Sequence, residues 1–383
     1  MEAQSSKLLA KGLVERIGLP EGDLTHKPVG KKKFELHQPI PDHTTGISLV
    51  LQALTDPVHG VIRSLDEVKA VGHRVAHGGE FFPESCLVTE QVQEKIRSLF
   101  QIAPLHNPAN LEGILSIEKV LPGVKQVAVF DTSFHQTLPA TNFMYALPYE
   151  YYQKYGIRKY GFHGTSHKYV SEKAIEYLGT EHSKIITIHL GNGASVAAVK
   201  DGRCIDTSMC LGPLSGLVMG TRSGDIDPSV IFYMVEQLGY KIEDVSRILN
   251  KESGLKALYG SSDMRDVAEG MRNGDEKALF AYHLYCYHIK QFVGAYTAAM
   301  GGLDAIVFTA GIGENASYIR TGVCRDMGFF GIEIDEVKNS APGDGIREVN
   351  TDSSRTKVLV IPTDEELEIA TQTYNLIKKE GKK

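Results

Sequence analysis

The chain has 383 residues, 42% of them apolar and 23% charged, with a net charge of −6, a profile that suits a globular protein with length for two domains. Its longest basic run is Lys31-Lys32-Lys33, which speaks against nucleic acid or a membrane surface as a partner held by bulk charge. The five cysteines (Cys86, Cys204, Cys210, Cys286 and Cys324) form no C-x-x-C pair, Met1 to Lys7 hold no signal-type apolar core, and the apolar runs are strand-sized, so a cytoplasmic location is expected.

Taken in chain order, the first candidate is Arg74 in residues 73–79 (HRVAHGG). A guanidinium among glycines and small residues offers its planar fork of donors to carboxylate or phosphate oxygens. Residues 108–120 read as a helix with Asn107 as N-cap and Pro108 at the first helical position. The run 127–130 (VAVF) reads as a strand ending at Asp131. In residues 161–167 (GFHGTSH), His163 and His167 have the spacing of a helical metal pair. Gly164-Thr165 reads as a helix start with Thr165 as cap, which leaves His163 outside the helix, better placed as a donor to phosphate at a helix N-terminus.

Residues 185–190 read as a strand, Gly191-Asn192-Gly193 as a tip and 195–199 as the returning strand; Asp201-Gly202 then turns into a third strand at 203–205. A glycine-flanked tip lets backbone N–H groups face a ligand, although Asn-Gly also serves ordinary turns. Here His189 precedes the tip and Ser195 comes after it, which favours the ligand. Arg222 sits in 220–227 (GTRSGDID), a second glycine-rich loop. The proline-free, aromatic stretch 276–300 reads as a core or subunit-interface helix. The strand 305–308 (AIVF) enters 309–315 (TAGIGEN), where glycines either admit a nucleotide or simply turn strand into helix. The strand 358–361 (VLVI) leads to Thr363-Asp364-Glu365-Glu366, a capping box that leaves Glu365 unused. Asp131 and Glu365, each beyond a strand, are either simple helix-start acids or a pair able to hold Mg²⁺ through water.

Buried β-branched strands alternating with helices give an α/β class. The boundary is placed near residue 132, with 1–131 plus 367–383 as one lobe and 132–366 as the other.

Together these segments resemble acetate kinase. The stretches that carry the resemblance are HRVAHGGE (73–80), APLHNPAN (103–110), FDTSFHQTLP (130–139), YGFHGTSH (160–167), HLGNGAS (189–195), MGTRSGDIDP (219–228), SSDMRD (261–266), FTAGIGEN (308–315) and PTDEELEIA (362–370), in family order over almost the whole chain. The resemblance implies two ribonuclease-H-like lobes of the actin, chaperone-ATPase and sugar-kinase superfamily, with a nucleotide cleft between them and usually a homodimer. It implies reversible phosphoryl transfer between ATP and acetate, with Mg²⁺ (or Mn²⁺). By motif match, His189, Leu190, Gly191, Asn192 and Gly193 would face the phosphates. Asp263, Met264 and Arg265, with Gly311, Ile312, Gly313, Glu314 and Asn315, would hold the adenosine. Arg74, His163 and Arg222 would flank the transferring group, Asp131 would be the catalytic acid residue and Glu365 the metal anchor. Arg74, Ala76, Leu105, Phe162 and Pro213 would bound the carboxylate substrate. Ala76 stands where the family usually has Val, which implies room for propionate.

The family normally opens on a strand bearing N-x-G-S-S-S-x-K. Here residues 6–13 resemble the family's segment just after that strand, and Ser5 and Ser6 do not replace it. The resemblance therefore implies an incomplete phosphate loop, and a nucleotide-binding homologue with impaired turnover is the alternative expectation. A sugar kinase or chaperone ATPase is disfavoured, because those families lack the Arg74, His163 and Arg222 motifs.

Overall fold

The computed structural model describes residues 1–2 and 5–381. The chain divides into two units, Met1–Ser133 with Glu365–Lys383, and Phe134–Asp364.

The first unit holds two three-stranded sheets. One is an antiparallel meander of β1 (Ala10–Glu15), β2 (Gly22–Pro28) and β3 (Phe34–Gln38), covered by the His43–Thr55 helix. Alternation along β2 turns Leu24 inward, where it meets Ile40, Leu49 and Ala53. The other sheet has the order β4-β6-β5, with β4 (Ala70–Val75) parallel to β6 (Lys125–Phe130) and the short β5 (Cys86–Leu87) antiparallel to it. Among the described residues β1 and β4 are both edge strands. Phe82 and Phe130 stack at 4.3 Å between centroids in the core with Ile96, Leu111 and Ile114. The Glu365–Glu380 helix packs on β4, and Gly72 is the reason it can: a Cβ there would crowd Thr373 and Ile369.

The second unit is built on one six-stranded sheet of order β11-β12-β10-β7-β8-β9. The strands are β7 (Lys184–Leu190), β8 (Ala194–Lys200), β9 (Arg203–Thr207), β10 (Ala305–Thr309), β11 (Arg347–Glu348) and β12 (Lys357–Val360). The expected meander is present as β7-β8-β9, and β10 and β12 add to it in parallel. Alternation along β7 sends Ile186, Ile188 and Leu190 into the larger core cluster, which includes Ala281, Tyr285, Ile289 and Val293 of the Glu276–Met300 helix. Ile185 goes to the opposite face with Val170 and Ala174 of the Gly164–Leu178 helix.

Three local expectations are corrected. The helix predicted from 108 spans Asn107–Val120 with His106 in the capping position, because the Asn107 side chain is committed to residue 77. The helix predicted from Thr165 begins at Gly164, with His163 in the capping position and Thr165 inside, its buried hydroxyl without a partner among the described residues. The last helix begins at Glu365, so Thr363 lies outside a capping box; its hydroxyl instead accepts from Ser166, and Glu366 pairs with Lys11. No described helix is long and apolar enough to cross a membrane.

Candidate active-site residues in each unit

In the first unit, strand pairing sets Arg74 near the end of β4 and Asp131 just beyond β6, tied by the Asp131 N–H to Val75 carbonyl bond of 3.0 Å. The Arg74 fork closes on the Asp131 carboxylate, Nε to Oδ1 at 3.1 Å and Nη2 to Oδ2 at 2.5 Å. Asp131 is 1% exposed, while the Arg74 side chain keeps 42% of its surface. The charge of Asp131 raises the Arg74 pKa. Burial, then nearby Asp131, lifts the Glu365 carboxyl above its usual range, and Arg74 opposes this. Arg74, Asp131 and Glu365 thus form one electrostatic group.

The loop after β4 is held by amides and a hydroxyl. Asn110 Oδ1 accepts from the Ala76 N–H at 2.9 Å, Asn107 bonds both the N–H and the carbonyl of His77, and Thr132 Oγ1 accepts from the Gly78 N–H. In the sequence these residues stand out only as members of matching stretches; two asparagines flanking the Pro108 helix start are the available sign. Of the expected substrate-pocket residues in this unit, Ala76 is buried and Leu105 is 67% exposed.

In the second unit the structure brings together His163, His189, the 191–193 tip and Arg222. His163 takes a left-handed backbone (φ 55°) at the start of the Gly164–Leu178 helix, a conformation costly for a non-glycine residue and common at functional sites. Its ring stacks on His189 with centroids 4.2 Å apart. A Cβ on Gly193 would lie 3.4 Å from His163 Nε2 and 3.5 Å from Arg222 Nη1, so both donor groups converge on that glycine. Arg222 Nη1 donates to the Pro213 carbonyl at 3.0 Å and contacts the Met219 sulfur at 3.6 Å. Among the described residues no carboxylate pairs with Arg222, and burial holds its pKa below the usual arginine value. A half-buried cation with no carboxylate partner, beside a glycine that leaves space next to it, suits an anion.

The loop that carries Arg222 is fixed from behind. The Leu255 N–H donates to the Met219 carbonyl at 2.9 Å and the Ser253 N–H to the Thr221 carbonyl at 3.0 Å. Gly254 (φ +65°) passes so close to Met219 and Arg222 that a Cβ would overlap their carbonyl oxygens. Asn192 lies against Gly220 in the same way, joining tip to loop.

Alternation of β7 and β8 also builds a polar cluster behind the tip. Thr187 and His189 share a face, Ser195 pairs with His189 across the strands, and Ser166 and His167 reach them from the helix. His189 Nδ1 bonds Ser166 Oγ at 2.8 Å. His135 and His167 are fully buried; burial pushes His135 down to about 4 and holds His167 well below the usual histidine value. His163 Nδ1 and His167 Nε2 both lie within hydrogen-bond distance of Ser195 Oγ, at 2.8 and 2.7 Å. Leu190 and Phe162 are core residues, 0% and 5% exposed.

Several residues expected to hold adenosine spend their side chains locally. Glu314 Oε1 accepts from the N–H groups of Ala310 and Thr363, Asn315 Nδ2 donates to the Gly311 carbonyl, and Asp263 both caps the Met264–Arg272 helix and pairs with Arg265. What these segments leave open is backbone at Gly311 and the exposed Arg265. Ile312 packs on the large core and Gly313 and Met264 are buried.

The model of the acetokinase family matches residues 1–371. The "Acetate kinase 2" of Clostridium perfringens is 51% identical over 382 residues, spanning 99% of this chain and 96% of that relative. Among solved structures, acetate kinase of Porphyromonas gingivalis superposes with a TM-score of 0.92 at 46% identity, over 97% of this chain and 94% of that one. A propionate kinase of Francisella tularensis gives a TM-score of 0.92 at 42% identity, over 98% of this chain and 95% of that one.

Proposed function

Because the chain belongs to the acetokinase family, we propose that it transfers a phosphoryl group reversibly between ATP and acetate, forming acetyl phosphate and ADP. The observation that carries the reading is the convergence of His163 Nε2 and the unpaired Arg222 on Gly193.

A carboxylate with a pKa near 4–5 is already an anion at neutral pH, so it attacks phosphorus without a strong base. The difficulty lies in bringing two anions together and stabilising an in-line, charge-spread transition state. The second unit supplies the backbone of Asn192 and Gly193, the Arg222 guanidinium and His163, the Gly191 N–H being spent on the Gly193 carbonyl. The first supplies Arg74, oriented by Asp131. Binding of adenosine is assigned to the backbone at Gly311 and to the exposed Arg265, with Asp263 holding Arg265 in place.

Mg²⁺ (or Mn²⁺) suits the Asp131 and Glu365 oxygens. These are hard donors, and a divalent cation would offset the burial and the nearby Asp131 charge that lift Glu365. Among the described residues no cluster of three or more His, Cys, Asp or Glu side chains is set for a metal; one or two carboxylates, with water and phosphate completing the shell, are what this ion commonly takes. Its chemistry there would be to neutralise phosphate charge.

A homodimer fits the apolar outside of the Pro228–Glu236 helix, which buries no residue and exposes Val230, Phe232 and Tyr233 by 43%, 61% and 59%. A cytoplasmic setting fits five free thiols.

The test is ATP formation from MgADP and acetyl phosphate, with propionyl phosphate in parallel. Transfer with either substrate supports the reading, and a preference for acetyl over propionyl phosphate above about 100-fold overturns the roomier pocket at Ala76. Nucleotide binding without transfer selects the impaired homologue instead.

A further inference from the structure

His163 is one end of a hydrogen-bonded row that runs into the protein. Its Nδ1 lies 2.8 Å from Ser195 Oγ, Ser195 Oγ lies 2.7 Å from His167 Nε2, and His167 Nδ1 lies 2.7 Å from Thr187 Oγ1. Thr187, His167 and Ser195 are each 0% exposed. A hydroxyl has one proton, and a neutral imidazole carries one N–H and one lone pair. His167, enclosed and held neutral, must therefore donate at one nitrogen and accept at the other. The row can run in either direction; in the one remaining arrangement Ser195 accepts from both rings and its own buried proton has no acceptor among the described residues, a costly state.

Thr187 decides between them. Its hydroxyl has a single hydrogen-bond partner among the described residues, His167 Nδ1. If the row ran away from His163, Thr187 would accept from His167 and its own proton would be buried with no acceptor, a costly state. If it runs toward His163, Thr187 donates to His167, His167 donates to Ser195, and Ser195 donates to His163 Nδ1. The protons of Thr187, His167 and Ser195 then each have an acceptor.

We propose that Thr187, His167 and Ser195 are positioning residues that fix neutral His163 as the Nε2–H tautomer, so that it presents a donor on the side where Arg222 and Gly193 meet. The opposite tautomer would aim a lone pair at an incoming phosphoryl oxygen. His163 then needs no positive charge to serve the transfer. This deepens the phosphotransferase reading and rests on it for its effect on turnover, but the tautomer itself is a property of the protein without substrate.

The experiment is a long-range ¹H–¹⁵N correlation on full-length, ¹⁵N-histidine-labelled protein at alkaline pH, where imidazoles are neutral, with the His163 resonances assigned by their loss in His163→Gln. The wild type should show protonated Nε2 and unprotonated Nδ1 at His163. Ser195→Ala and Thr187→Val should each give a mixture of tautomers, and Ser195→Thr should restore the wild-type pattern. Turnover of Ser195→Ala should fall about 10- to 100-fold, the cost of a misdirected group, with the KM for nucleotide little changed. Wild-type His163 protonated at Nδ1, or a Ser195→Ala spectrum identical to wild type, overturns the proposal. A wild type that is inactive yet shows the Nε2–H pattern refutes the functional reading and upholds the row.

Discussion

Arg222 and Arg74 are both arginines in glycine-rich settings, yet their surroundings forecast different consequences when each is replaced by methionine. Arg222→Met deletes one hydrogen bond to the Pro213 carbonyl, worth about 0.5–1.5 kcal/mol, and returns the cost of keeping an unpaired cation half-buried. The two nearly cancel, so the melting temperature should move by no more than about 2–4 °C, the shift that 1 kcal/mol gives in a unit of this size. Arg74→Met instead strips both donors from Asp131, which is 1% exposed. A buried acceptor left unsatisfied costs about 1–3 kcal/mol, with the exposed Arg74 side reducing the figure. Both variants should lose turnover, Arg222→Met by about 10²–10³ as for other charge-stabilising donors. Thermal melts and ATP formation from MgADP and acetyl phosphate measure the two axes separately. An Arg222→Met protein that melts below Arg74→Met, or keeps more than about a tenth of wild-type turnover, would refute the argument that Arg222 is held uncompensated for an anion.

Gly193→Ala should leave the melting temperature unchanged, since its new methyl would stand at ordinary contact distance, but should weaken ATP and acetyl phosphate together by filling the space between His163 and Arg222; titration of either ligand checks it. Gly254→Ala should lower stability by about 1–3 kcal/mol or more, because φ +65° is strained for alanine and the Cβ meets the Met219 carbonyl; a thermal melt within about 1 °C of wild type would contradict this. Glu365 has its folded pKa raised, so the stability of its protonated form is complete below the ordinary glutamate value and is lost as pH rises through the raised one. Glu365→Gln should therefore melt above wild type at pH 7–8 with a flatter pH profile, and should lose whatever stabilisation Mg²⁺ gives the wild type.

Legibility in the sequence tracks how local each cause is. The β7-β8-β9 meander can be read because alternation and Gly-containing turns act within a few residues. The pairing of Arg74 with Asp131 cannot, because it depends on the register of two strands some fifty residues apart. Thr165 is a reasonable cap by type, but His163 takes the left-handed position itself and starts the helix one residue earlier. Asn107 looks like a cap for the same reason and is spent on His77. Glu314 and Asp263 are assigned to ligand by resemblance, while their carboxylates close on neighbouring N–H groups. Ser195 is visible only as a neighbour of the tip; that it sits between two histidines requires the helix to be laid on the sheet.

The interleaving of the chain has a consequence for how the protein is made. The first unit opens with Met1, but the helix that lies on β4 at Gly72 is Glu365–Glu380. Phe134–Asp364 is continuous and can complete its own sheet during synthesis. The earlier unit must keep one face of β4 uncovered until Glu365–Glu380 leaves the ribosome, at about 5–20 residues per second. The part translated first is thus the part finished last, and in those seconds the nascent chain has most need of a chaperone.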